Sequence, residues 1–135
     1  MPRQQSGTEV WPYSQAIVAN GFVFTAGQTP HDPVTGRTVG TTIEEQTVQT
    51  MKNLAAVLDR HNLDFSHVVK ATVHLHHPGR DAAGFNAIYR ELMASPYPAR
   101  TTVGSFLSDF LVEIDVVAAI PEPARRSAVR EATAS

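Results

Sequence analysis

The chain has 135 residues, with 11 lysines and arginines against 13 aspartates and glutamates, a formal charge of −2, 42% hydrophobic residues and no cysteine. That length suits one domain with a core of its own, and the absence of thiols excludes disulfides, thiolate metal sites and cysteine catalysis. The near-balanced charge argues against electrostatic capture of nucleic acid or of an anionic membrane, because both need clustered cations.

In chain order, Met1–Thr8 is polar and lacks the apolar run of a signal peptide. No later stretch is apolar for long enough to cross a bilayer, so cytoplasmic residence is the default expectation. Ala16–Asn20 and Phe22–Ala26 are expected as two short strands. The Asn20-Gly21 pair between them tolerates the positive φ angles of a tight hairpin. Residues 29–41 are rich in turn formers, and Asp32-Pro33-Val34-Thr35-Gly36 forms a second tight turn.

A helix follows. Thr42 and Glu45 have the spacing of a capping box, and Met51, Leu54, Ala55 and Leu58 recur at helical spacing up to an end near 60–62. Val68–His76 is expected as a strand, with Val69, Ala71, Val73 and Leu75 alternating against Lys70, Thr72, His74 and His76. Asp81 is the expected N-cap of a second helix to about Ala94, with Phe85, Ile88, Tyr89 and Leu92 on one face. Pro96 and Pro98 end it. Arg100–Val103 is a short strand and Val112–Ile120 a longer one, dense in β-branched residues. The expected domain is 9–120, with 1–8 and 121–135 as flexible termini.

The order of strands, helix, strand, helix and strands places two amphipathic helices on one face of a sheet, an α+β arrangement. The other face then has to meet water or another subunit. In the last strand Val112, Ile114, Val116 and Ala118 make an apolar face. Leu111, Glu113, Asp115, Val117 and Ala119 make a mixed one, which suits an oligomer interface containing a polar site.

Several residues could carry chemistry. Arg100 starts a strand just after two prolines, where a guanidinium can grip a carboxylate in a bidentate fork. It could equally be a surface arginine paired with a helix acid. Glu113 lies mid-strand among apolar neighbours, where a carboxylate is costly unless paired or hydrogen-bonded. It could hold and activate a water, or form an ion pair across an interface. Tyr13 could be a core aromatic or donate its phenol to a ligand. Asn86 is a poor helix former inside a helix, and is expected at the surface or in a specific hydrogen bond. Gly27-Gln28 could present backbone amides or be a plain turn. His74, His76 and His77 lack a clear third metal ligand and read as polar positions at a strand end.

In order along the chain, these segments resemble the RidA/YjgF (reactive-intermediate deaminase) family. The resemblance rests on Pro12-Tyr13-Ser14-Gln15-Ala16, Ala26-Gly27-Gln28-Thr29-Pro30 and Asp32-Pro33-Val34-Thr35-Gly36 in the first part of the chain. Glu44-Glu45-Gln46-Thr47, Val68-Val69-Lys70-Ala71-Thr72-Val73 and Phe85-Asn86-Ala87-Ile88-Tyr89 continue it. Pro98-Ala99-Arg100-Thr101-Thr102-Val103 and Val112-Glu113-Ile114 complete it.

The resemblance implies a chorismate-mutase-like fold with a mixed sheet of about six strands and two helices on one face. It also implies a homotrimer with three clefts between subunits, and hydrolysis of small imino or enamino acids without a cofactor or metal. Arg100 would bind the substrate carboxylate and Glu113 would position the attacking water. Tyr13, Gly27, Asn86 and Thr102 would line the cleft. Two features depart from the family pattern. Ala26 replaces a serine, and the 104–110 segment is shorter, lacks the usual Leu-Pro and adds Phe106 and Phe110. Some relatives carry a ribonuclease role, against which the acidic balance argues here.

Overall fold

A computed structural model describes residues 11–122. The expectations for residues 1–8 and for the tail from 123 onward lie outside the described residues. The chain begins with a hairpin of β1 (Ala16–Ala19) and β2 (Phe22–Thr25), whose turn residues Asn20 and Gly21 have φ of 52° and 81°. These positive angles at both central positions match the twist of the flanking strands. The Asp32 turn also forms. Its carboxylate accepts from the Val34 and Thr35 amides at 2.8 and 2.9 Å, and those bonds pull the carboxyl below its ordinary range.

Helix α1 (Ile43–Asp59) starts with the complete capping box. Glu45 N–H donates to Thr42 Oγ1 at 3.1 Å, and Thr42 N–H donates to Glu45 Oε1 at 3.2 Å. A 3₁₀ turn, Phe65–His67, leads into β3 (Val68–Leu75). Helix α2 (Pro78–Leu92) is followed by β4 (Ala99–Gly104) and β5 (Val112–Ala119). The expected N-cap of α2 is corrected. Pro78 opens the helix after His77, and Asp81 lies buried in the first turn against Arg80, at 2.8 Å. Proline fits the first helical position because its missing N–H would have no partner there.

The five strands of the described residues, rather than about six, form one mixed sheet in the order β1-β2-β5-β3-β4. Only β3 and β4 run parallel. Helix α1 packs on β5, α2 packs on β3, and the helices pack on each other. The core between these layers holds Met51, Leu54, Leu58 and Phe85 against Val23, Val73, Leu75, Val112, Ile114 and Val116.

The other face of the sheet is uncovered in the single chain. It carries Phe22 and Phe24, with Val117 and Ala119 opposite them across the β2–β5 ladder. Glu113, Asp115, Thr72 and His74 lie on the same face toward β3. The alternation expected along β3 fails at its start. A register irregularity between Val68 and Lys70 turns Val68 inward and leaves Val69 exposed, after which Ala71, Val73 and Leu75 are buried as expected.

Candidate active site

Arg100 sits near the start of β4, opposite the buried Ala71, and so projects on the helix side of the sheet. Its guanidinium carbon stands 4.8 Å from the ring centre of Tyr89 and 5.4 Å from that of Phe85. These two aromatics are four residues apart on α2 and therefore present neighbouring faces. Such cation–π contacts place the charge while leaving its N–H fork unspent. Among the described residues no carboxylate pairs with it, so the alternative of a surface ion pair is not realised.

The guanidinium opens onto a cavity of about 270 Å³ that Asn86, Tyr89, Arg90, Tyr97 and Pro98 also line. Tyr97 is held there by its hydroxyl, which donates to the Arg90 carbonyl at 2.9 Å. Burial pushes the Tyr89 phenol above its ordinary pKa, although the nearby Arg100 charge opposes this. Thr102 lies two residues beyond Arg100 on the same strand, opposite Val73, and its side chain is exposed on the same side.

Glu113 belongs to the other face. It pairs across the ladder with His74, between the inward-facing Val112 and Ile114. Its carboxylate lies over Gly27. A Cβ built on Gly27 would collide with Oε2 and stand 2.7 Å from Cδ. Here glycine serves close approach of a side chain, since Gly27 is not among the positive-φ glycines. Of the two amides in Gly27-Gln28, that of Gln28 is engaged within the chain. Gln28 N–H donates to the Ile114 carbonyl at 2.8 Å, and Ile114 N–H returns to the Gln28 carbonyl at 3.0 Å. This bridge docks Gly27 onto β5.

The six expected site residues therefore fall into three places within one chain. Arg100, Asn86 and Thr102 are on the helix side near β4, and Gly27 and Glu113 are on the uncovered face. Tyr13 lines a separate cavity of about 500 Å³ with Trp11, Gln15, His31 and Arg60. Arg100 and Glu113 align with positions 71 and 74 of β3, roughly 10 Å apart along a strand, and on opposite sides of the sheet. The aromatic clamp of Phe85 and Tyr89 was missed as a functional feature because the same i, i+4 pair reads as an ordinary apolar stripe. The histidines do not share one strand face, since β3 ends at Leu75. Instead His74 Nδ1 meets Ser105 Oγ at 2.7 Å, and His76 Nδ1 accepts from Leu107 N–H at 2.9 Å. Both histidines hold the loop before β5. In that loop Phe106 is 85% exposed, while Phe110 packs edge-on against His31.

Fold and site together define an α+β domain with an aromatic-clamped arginine, unpaired among the described residues, on one side of its sheet and a half-buried carboxylate on the other. A family model described as "Endoribonuclease L-PSP" matches residues 5–120. A RutC family protein of Synechocystis is 44% identical over 121 residues, covering 87% of this chain and 92% of that protein. Reactive Intermediate Deaminase A, chloroplastic, of Arabidopsis thaliana is 39% identical over 114 residues, covering 81% of this chain and 59% of that protein. The solved structure of a Rid family protein from Yersinia pestis superposes with a TM-score of 0.80 at 33% identity, covering 88% of this chain and all of that one. The chain belongs to the RidA/YjgF family.

Proposed function

We propose that this chain is a hydrolytic deaminase of small 2-imino acids, of the 2-iminopropanoate or 2-iminobutanoate type, releasing a 2-keto acid and ammonia without a cofactor. Membership of a family that includes a Reactive Intermediate Deaminase supports Rid-type chemistry in general. The observation that carries the reading to a carboxylate substrate is the Arg100 guanidinium. It lies over the rings of Phe85 and Tyr89, pairs with no carboxylate among the described residues, and faces a cavity sized for a small acid.

An imine carbon is already electrophilic, so positioning and one oriented water are sufficient chemistry. Arg100 anchors the carboxylate, and Glu113 holds the water and takes its proton as oxygen bonds to the imine carbon. One chain does not bring these two residues to the same small molecule. The reading therefore requires clefts between copies, and a homotrimer in which the uncovered sheet faces pack inward meets that need. Phe22, Phe24, Val117 and Ala119 supply the apolar part of such a face. The proposed location is the cytoplasm. Among the described residues no helix is long and apolar enough to cross a membrane.

The test is imine hydrolysis. An amino-acid oxidase generates imines from a panel of amino acids, and semicarbazide traps what survives. Wild type should speed imine loss, and Arg100→Ala should remove most of that gain, about 100-fold or more in kcat/KM, because a charge-assisted bidentate contact is lost. An Arg100→Ala enzyme equal to wild type would sink the assignment. A second reading is a hydrolase of one pathway, acting on an aminoacrylate-like or ring-cleavage enamine. The exposed Phe106 in the shortened loop favours it, and it is abandoned if simple iminopropanoate turns over best. Were Arg100 to bind imino acids with no turnover, the chain would be a carboxylate-binding sensor.

A further inference from the structure

Hydrolysis of an imine to a ketone and ammonia moves two protons onto nitrogen and takes two from water. Glu113 can accept one proton at a time, so the deaminase reading leaves the donor to nitrogen unassigned. The uncovered face holds one side chain suited to that task. His74 is the cross-strand partner of Glu113. Directly opposed residues on one face have Cβ atoms about 4.5–5.5 Å apart. With strand order β2-β5-β3, Glu113 is flanked on one side by the Gly27 segment, over which its carboxylate lies, and on the other by His74.

The ring is also held. Nδ1 meets Ser105 Oγ at 2.7 Å, and Ser105 is fixed in turn by its N–H, which donates to the Leu75 carbonyl at 3.0 Å. In the imidazolium both ring nitrogens carry protons: Ser105 Oγ accepts from Nδ1–H, which leaves Nε2, the nitrogen without a partner among the described residues, to give its proton and take one back. The ladder partners of His74 are Glu113 on β5 and Val103 on β4; Asp115 is two residues from Glu113 on β5, and Lys70 lies four residues back along β3 and acts on Asp115. The His74 charge acts on the Asp115 carboxyl, one of the two acids that β5 presents on this face.

We propose that His74 is the second acid–base residue of this reaction, protonating the substrate nitrogen beside Glu113. The proposal rests on the deaminase reading above. In the addition step Glu113 takes a proton from water as the C–O bond forms. The C=N π pair moves to nitrogen, which takes a proton from the His74 imidazolium. In the collapse step neutral His74 takes the hydroxyl proton and the carbonyl forms. The C–N bond breaks, and protonated Glu113 gives its proton to the departing ammonia. Both residues are thereby restored to their starting states.

The experiment compares wild type, His74→Gln and Ser105→Ala in the imine assay across pH, with NMR of the histidine ring protons in wild type and Glu113→Gln. Glutamine keeps a hydrogen-bonding group for Ser105 but carries no titrating proton. His74→Gln should lower kcat about 100-fold with KM within about a factor of two, and abolish the basic limb of the kcat–pH profile. Ser105→Ala should lower kcat about 10-fold by loosening the ring, while keeping that limb. The His74 titration should move when Glu113 becomes glutamine. A His74→Gln enzyme with wild-type kcat and an unchanged basic limb overturns the proposal. If wild type hydrolyses none of the imines, the deaminase reading falls first and the NMR arm decides. A His74 titration that shifts on Glu113→Gln upholds the coupled pair, and one that does not move overturns it.

Discussion

Gly27 shows how a single absent side chain shapes this site. Its backbone is docked on β5 through the Gln28–Ile114 bridge, and the Glu113 carboxylate occupies the space a Cβ would fill. In Gly27→Ala the carboxylate must swing away while the docking bonds remain. We expect near-native far-UV circular dichroism and a loss of about 100-fold in kcat, because a displacement of about 1 Å is enough for such a loss. Retention of full activity would mean that Glu113 does not act from this position. Asp115, on the same face, lends itself to a pH experiment. Burial holds its carboxyl above the ordinary 3.8, with the His74 and Lys70 charges opposing. A carboxyl with a raised folded pKa makes the folded state bind its proton more tightly, so ionisation costs stability as pH rises past the unfolded value. Asp115→Asn should therefore gain on wild type in urea midpoint at about pH 7, and the gain should vanish by about pH 3. An equal difference at both pH values would contradict that assignment.

At the scale of elements, local chemistry decides most boundaries. The α1 capping box closes reciprocally, with Glu45 also accepting from Thr41 N–H at 2.9 Å. Those amides draw the Glu45 carboxyl below its ordinary range. Thr42→Ala should cost about 1 kcal/mol of unfolding free energy, read by urea denaturation. No change would mean that water satisfies the first turn equally well. This start, the Asn20-Gly21 hairpin and the Asp32 turn were legible because each depends on side chains within a few residues. The start of α2 was misplaced for a related reason. Asp81 has the chemistry of a cap, but proline at 78 already fits the first turn, and Asp81 pairs with Arg80 instead. The irregularity at Val68–Lys70 was not legible, because register is set by the β5 partner and not by the β3 sequence. The site divides along the same line. Arg100 and Glu113 stood out as charged residues at conspicuous positions. The Phe85–Tyr89 clamp is hidden in an apolar stripe of α2 until the fold sets Arg100 over it, and the His74–Ser105 contact joins residues 31 positions apart.

For the whole molecule the decisive fact is that Arg100 and Glu113 face opposite sides of one sheet. A face carrying Phe22 at 39% and Phe24 at 44% exposure, continuous with half-buried acids, is poorly suited to open water and well suited to a copy of itself. If the cleft takes Arg100 from one copy and Glu113 from the next, two inactive variants should complement each other. Arg100→Ala chains still supply Glu113, and Glu113→Gln chains still supply Arg100. Unfolding the two together and refolding them as a mixture should give assemblies in which about a quarter of the clefts hold both native residues, by random assortment around a closed ring. The mixture should then recover about a quarter of wild-type turnover in the semicarbazide assay, while either variant refolded alone stays inactive. Dilution toward the monomer should remove the recovered activity. Should the mixture stay as inactive as its components, with mixed assemblies verified by native mass spectrometry, the two residues do not share a cleft between copies. Arg100 would then be left as a binding residue, and the water would need a different base.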